Sequence, residues 1–256
     1  MFKYLTILLT LNISSVFAIS KFQNFDNEFN LGYGIYQTTL SNGAHNQTLQ
    51  QNQIAQLEVE RLFDIGVWLD VKGSLVTASN SLGNMAAGTG QERGILSQDF
   101  NLGGINSKVG YAFEVVNEHL QLIPYGQMGL NTNLAMSTVI NNNQQNITND
   151  FFYTLGIGLR LEYRISNELF LFADQVGNYN WDQSGPVNGI QPQNNIIYTS
   201  TIGIKYNACK NLQLGLNGFY NNYQYKALAP TIDSTGTSIY QPQYNVGGMF
   251  TVGLTY

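Results

Sequence analysis

The residues able to do chemistry in this chain are few, and their spacing is distinctive. Charged side chains make up 11% of the 256 residues, under half the usual share of about 25%. Eleven of them fall at alternate positions inside stretches that otherwise alternate apolar and polar residues: Glu58, Glu60, Asp70, Lys72, Lys108, Glu114, Arg160, Glu162, Arg164, Asp174 and Lys205. Six are acids and five are bases. Alternation of this period puts all of them on one face of a sheet. A nearly balanced set of charges on one face can pair into a network, or line a passage and select ions by charge.

No catalytic grouping emerges beside this network. There are two histidines. His119 follows the turn-forming pair Asn117-Glu118, and His45 lies in a polar stretch near Ser41, with Asp99, Asp150 and Asp182 in other polar stretches. Nothing in their spacing holds a nucleophile, a base and an orienting acid together, so no catalytic residue and no enzymatic activity are expected. The single Cys209 excludes an internal disulfide and a cysteine-rich metal site. Gly32-Tyr33-Gly34 and Gly156-Ile157-Gly158 sit inside alternating stretches, not between a strand and a helix, so they are not phosphate loops. No metal and no cofactor are expected. A net charge of −5 with no basic stripe excludes a nucleic-acid partner.

The elements that must position the charges are strands. No convincing amphipathic helix follows the N-terminus; period-two alternation recurs instead, broken by polar stretches. The expected strands are 28–40, 53–62, 67–79, 97–115, 120–136, 151–164, 169–182, 195–206, 212–226 and 242–256. Connections after the even strands are short: Phe63–Gly66, Val116–His119, Ile165–Glu168 and Asn207–Asn211. Those after the odd strands are longer and polar: Ser41–Asn52, Asn80–Leu96, Ser137–Asp150, Gln183–Asn194 and Ala227–Gln241. Such strict alternation characterises an outer-membrane barrel, with short periplasmic turns and long outer loops. The expected fold is therefore all-β: a closed antiparallel transmembrane β-barrel of about ten strands, with eight or twelve as alternatives. Closure matters because an open sheet edge in lipid leaves backbone groups unpaired, at several kcal/mol each.

The two faces of these strands differ in chemistry. In 151–164, Tyr153, Leu155, Ile157, Leu159, Leu161 and Tyr163 alternate with Thr154, Gly156, Gly158, Arg160, Glu162 and Arg164. Small residues beside long charged ones suit a crowded interior, so the charged face is expected inward and the apolar face outward. Aromatic placement agrees. Tyr153 and Tyr163, Tyr198 and Tyr206, and Tyr244 and Tyr256 stand near the two ends of the apolar face, and Tyr179, Trp181 and Tyr220 fall at outer strand ends. Tyrosine favours the membrane interface because its ring is apolar and its hydroxyl wants water. Ten residues at ~3.3 Å, tilted by ~40°, rise about 25 Å, the height of the apolar band. The competing arrangement is a soluble exported barrel with the apolar face turned in around a ligand.

At the N-terminus, Lys3, the apolar run Leu5–Leu11 and Val16-Phe17-Ala18 follow the pattern of a secretory signal. Residues 1–18 are expected to be a cleaved signal peptide, and residues 19–256 one barrel domain. At the other end Phe250, Val252, Leu254 and the terminal Tyr256 alternate toward an aromatic close. This resembles the C-terminal β-signal of bacterial outer-membrane proteins. Leu122-Ile123-Pro124-Tyr125-Gly126 is similar to the Pro-Tyr strand of the small OmpA-like and Opa-like, porin-like barrels. The resemblance implies a bacterial outer-membrane location, recognition by the barrel-assembly machinery and periplasmic chaperones, and surroundings of outer-membrane lipid and lipopolysaccharide. Two functions compete: a structural barrel or narrow charged-lumen pore, and a surface adhesin or ligand-binding protein acting through its long loops. Oligomeric state has no signature in the chain.

Overall fold

The structure, a computed structural model, describes residues 22–23, 25–41, 46–81, 94–116, 118–139, 144–182, 196–223 and 238–256, several outer strand ends by their backbone alone. Eleven strands follow in order: β1 Glu28–Ser41, β2 Asn46–Leu62, β3 Val67–Ser81, β4 Gly94–Tyr111, β5 Phe113–Val116, β6 Leu120–Val139, β7 Gln144–Arg164, β8 Leu169–Asp182, β9 Ile196–Cys209, β10 Leu212–Tyr223 and β11 Ser238–Thr255. β4 and β5 pair with the same neighbour, β6, on either side of Ala112. They make one stave, so the barrel has ten. β1 pairs with both β2 and β11, which closes the sheet. Every wall pairing is antiparallel.

The register fixes the shape of the cylinder. A ladder leaving β1 at Thr39 passes Tyr244, Asn222, Tyr198, Gly177, Ile157, Gly126, Val109 and Leu69 and ends at Arg61, one step beyond the Glu28–Glu60 pair. One circuit therefore slips by about 12 residues, a stagger that tilts the staves and leaves an interior that side chains can fill.

Tight turns gather at one end, here called the turn end; the opposite end is the loop end. Between β2 and β3, Gly66 donates to the Phe63 carbonyl (2.9 Å) and takes φ +84°, a conformation that favours glycine. Between β7 and β8 the Ser166 hydroxyl accepts from the amides of Glu168 and Leu169, both at 3.1 Å. The fourth expected strand is cut at Ala112, whose amide turns aside to the Gly66 carbonyl (2.8 Å). The expected turn Asn207–Asn211 shrinks because β9 runs on to Cys209. The loop-end connections expected at Ser41–Asn52 and Ser137–Asp150 shrink further, since β2 starts at Asn46, β6 reaches Val139 and β7 starts at Gln144. Beyond Gly103, β4 parts from β3, and its tip Gly94–Leu96 pairs in parallel with Ser238–Tyr240 of β11.

The apolar face points outward. Ile157 is 79% exposed, and Leu155, Leu159, Ile202, Leu216, Phe250 and Leu254 are exposed with it. Their inward neighbours Arg160, Glu162, Asp174, Lys205 and Thr251 are buried. The interior is thus polar and the surface apolar, the reverse of a soluble barrel.

Candidate functional site: the filled lumen

In the turn-end half, charged side chains from opposite walls meet. Arg160 on β7 reaches Glu60 on β2, four staves away, with Nη2 to Oε1 at 3.0 Å, and its Nε bonds Glu162 on its own strand. Lys205 on β9 contacts Glu28 of β1 at 2.5 Å and Glu60 at 2.8 Å. Lys108 on β4 contacts Asp174 of β8 at 2.6 Å and Asp70 of β3 at 3.4 Å. Lys72 contacts Glu58 at 2.9 Å. Arginine and lysine serve here because only long chains bridge the bore.

Aromatic side chains hold the ions in place. Trp68 Nε1 donates to Glu60 Oε1 (2.8 Å), and the Tyr125 hydroxyl donates to Asp174. The Arg160 guanidinium lies 5.3 Å from the Trp68 ring centre and 4.6 Å from that of Phe172. Lys205 Nζ lies 5.8 Å and 5.6 Å from the rings of Phe170 and Phe172. Cation–π attraction grows as water is removed.

The chain ahead of β1 closes the turn end. Residues 22–23 and 25–26 form a helical turn, bounded by the Asn27 amide donating to the Gln23 carbonyl at 3.0 Å. Phe22 and Phe25 are buried, and Phe25 stacks on Phe170 at 5.0 Å and 13°. The segment is tied to the wall on several sides. Gln23 Nε2 donates to the Leu62 carbonyl (3.2 Å) and to Asp64 (2.7 Å), Asn27 Oδ1 accepts from the Leu62 amide (2.9 Å), and Gln213 Nε2 donates to the Phe25 carbonyl (3.4 Å).

Asp26 enters the lumen from this segment. Its carboxylate, with those of Glu60 and Glu162, forms a group whose oxygens lie within 4.8 Å of one another, all buried. Gln121 Nε2 donates to Asp26 Oδ2 (3.4 Å) and to Glu162 (2.9 Å), while Asp26 Oδ1 has no hydrogen-bond partner among the described residues. A metal would need these oxygens, but Arg160 and Lys205 already hold those of Glu60 and Glu162. Asp26 precedes the first strand, and burial holds its carboxyl well above the ordinary 3.8, with the like charges of Glu162 and Glu60 adding to the effect.

Toward the loop end the inward side chains become carboxamides. Asn131 Nδ2 donates to Thr154 Oγ1 (2.9 Å), and Asn106 Nδ2 donates to Asn131 Oδ1 (3.3 Å). One arrangement recurs across the wall: an asparagine directly opposite a glycine. Asn178 faces Gly156, Asn131 faces Gly104, Asn106 faces Gly129, Asn217 faces Gly203 and Asn30 faces Gly253. A methyl on any of these glycines would overlap the asparagine oxygen. The carboxamide lies over the bare glycine Cα, where Cα–H groups face its oxygen. This accounts for Oδ1 of Asn30, Asn178 and Asn217 lacking an ordinary donor. Tyr125 over Gly158 and Phe172 over Gly203 repeat the arrangement with rings.

Nine of the eleven charges singled out in the sequence thus join in the lumen or beside it, and two do not. Glu114 lies on the short strand β5, where its carboxylate accepts from the Glu118 amide in the turn to β6. Arg164 stays at the rim, donating to the Glu118 carbonyl (2.7 Å) and pairing with the Glu118 carboxylate at 3.5 Å. Asp26 and Glu28 were missed. Glu28 shares the parity of Asn30 and Gly32 and was within reach of the pattern; Asp26 precedes the alternation and had no signal. His119 lies in a turn with Nδ1 3.2 Å from the Arg164 carbonyl, and Cys209 is exposed. His45 and the side chains of Ser41, Asp99, Asp150 and Asp182 lie outside the described residues, as do residues 1–18.

On the outer surface Tyr163, Tyr206 and Tyr256 stand exposed at the turn end, and Tyr153, Tyr179, Tyr198 and Tyr220 toward the loop end. Tyr244 packs on Tyr220 at 5.8 Å, and the side chain of Trp181 is outside the described residues. Phe250, Val252, Leu254 and Tyr256 all face outward at the seam where β11 meets β1.

No protein-family model matches the chain, and no curated protein matches it. Among solved structures it is similar to the outer-membrane protease OmpT from Escherichia coli, at 11% identity over 90% of this chain and 97% of that one, with a TM-score of 0.38. The translocator domain of the autotransporter NalP from Neisseria meningitidis aligns at 9% identity over 99% and 98%, with a TM-score of 0.43. The KdgM porin aligns at 9% over 87% and 99%, with a TM-score of 0.35.

Proposed function

We propose that this chain is a bacterial outer-membrane barrel whose lumen is closed, a structural barrel rather than an open pore. The observation that carries the reading is the pair Arg160–Glu60, which crosses the bore between staves four apart, next to the segment bearing Phe22 and Phe25. An ion crossing the lumen must displace paired charges and then the aromatic plug. The exposed apolar belt bounded by tyrosines supports a lipid surround. Both chain ends and the tight turns then face the periplasm. Residues 1–18 act as an export signal, and the outward row Phe250, Val252, Leu254 and Tyr256 is the contact for the assembly machinery.

The test is conductance of the refolded protein in a planar bilayer. The expected result is a heat-modifiable, folded barrel with no discrete current steps. Reproducible, charge-selective steps would overturn the closed reading and make Arg160, Glu60 and Lys108 a selectivity filter instead. A folded barrel that stays silent directs the search for binding partners to the loops.

A further inference from the structure

Among the described lumen residues, seven carboxylates (Asp26, Glu28, Glu58, Glu60, Asp70, Glu162, Asp174) face four cations (Lys72, Lys108, Arg160, Lys205). A closed interior cannot keep that excess ionised at little cost. Asp26 is the one of these carboxylates that lies ahead of the wall, on the segment before β1.

We propose that a proton on Asp26 latches the N-terminal segment into the turn-end mouth, so that the segment docks in acid and is released as the pH rises. This rests on the reading that the segment closes the lumen. Asp26 is fully buried, and among the described residues it forms no ion pair, receives only the Gln121 amide at 3.4 Å, and leaves Oδ1 without a partner. Facing it are Glu60 from β2, Glu162 and Arg160 from β7, and Lys205 from β9, with Glu28 of β1 bound to Lys205. Both cations are already engaged by Glu28, Glu60 and Glu162. A charged Asp26 therefore meets two carboxylates and no unoccupied base, whereas a protonated one can donate to either carboxylate. The same geometry favours a proton over a metal ion, which would meet Arg160 and Lys205 at the oxygens it needs.

The sign follows from the raised docked value. The stabilisation of docking is full below the ordinary Asp value of 3.8 and is lost as the pH rises through the higher docked value. Across that window the docking equilibrium falls about tenfold per pH unit. Upward of the window it is flat.

Hydrogen exchange on the full mature chain, refolded in detergent, reads this directly. The Asn27 amide bonds the Gln23 carbonyl and the Tyr256 amide bonds the Asn27 carbonyl, so both are protected only while the segment is docked. Their protection, corrected for intrinsic exchange and compared with mid-strand amides of β7, is followed with pH in the wild type and in Asp26→Asn, which is uncharged and isosteric. The expected result is wild-type protection that falls with pH by up to about tenfold per unit, and protection in Asp26→Asn that stays high and flat. A wild type that is flat, an Asp26→Asn with the same slope, or an Asp26→Asn unprotected at every pH would each overturn the latch. Wild-type protection in acid that disappears on adding a chelator would overturn the proton in favour of a divalent cation. Glu162→Gln is the second variant: it removes one facing charge, so the loss should end at lower pH. Exchange reports docking whether or not the barrel conducts, so a conducting barrel would overturn the closed reading and leave this test standing.

Discussion

The two halves of the lumen fill the same bore by opposite means. In the turn-end half, long charged chains cross the cavity and meet partners from distant staves, as Arg160 does with Glu60 and Lys205 with Glu28. Toward the loop end, short carboxamides such as Asn178, Asn131 and Asn106 lie flat on their own wall over a glycine of the adjacent strand. The first arrangement blocks the axis and makes the walls depend on one another. The second lines the wall and depends only on the neighbouring strand. A barrel interior can thus be sealed or merely finished, and the side-chain length at inward positions decides which.

Substitutions can break this contrast, and the largest effect belongs to the sealed half. Arg160→Ala leaves Glu60 and Glu162 buried without their guanidinium, and should cost about 3–5 kcal/mol of unfolding free energy, measured by urea titration of the folded barrel. Gly156→Ala should cost about 1–3 kcal/mol by overpacking, because the new methyl meets the Asn178 oxygen. The pairing is checked by the double variant Gly156→Ala/Asn178→Ala, which should recover most of that loss in the same titration. Asn178→Ala alone should cost about 1 kcal/mol or less, since it removes a carboxamide whose oxygen has no strong donor. Equal costs for Arg160→Ala and Asn178→Ala would erase the distinction between the halves.

What the sequence revealed depended on where solvent changes. Along 151–164 the strand lies between a polar, charged interior and an apolar outer face, so its two faces read as two chemistries and fix both direction and register. At the turn end, Asp64-Ile65-Gly66 and Ser166-Asn167 mark strand ends by local chemistry, and β3, β6 and β8 start where the pattern placed them. At the loop end, stretches such as Gln47–Gln51 and Gln144–Asn149 carry one apolar residue each, Leu49 and Ile147, among polar ones on both faces. They pair as strands without alternating, so the pattern stops short of them. The charge network was visible as parity, but not its wiring, because partners such as Arg160 and Glu60 are 100 positions apart and meet only across the bore. The plug left no periodic trace at all. Phe22, Phe25 and Asp26 form a single helical turn, too short for any repeat to register.

The Arg160–Glu60 contact also constrains how the molecule comes into being. β2 and β7 face each other across the bore only when the sheet curls into a cylinder; along the wall they lie four staves apart. A growing sheet therefore carries Glu60 without its Arg160 partner until the cylinder closes, and Arg160 has only Glu162 of its own strand. Pairs within a strand or between neighbours, such as Arg160–Glu162 and Lys72–Glu58, form strand by strand, whereas the contacts that cross the bore arrive with closure. An assembly intermediate that lacks one stave is penalised twice, by its open edges and by its bare charges, and the interior acts as a checkpoint that only the finished barrel passes.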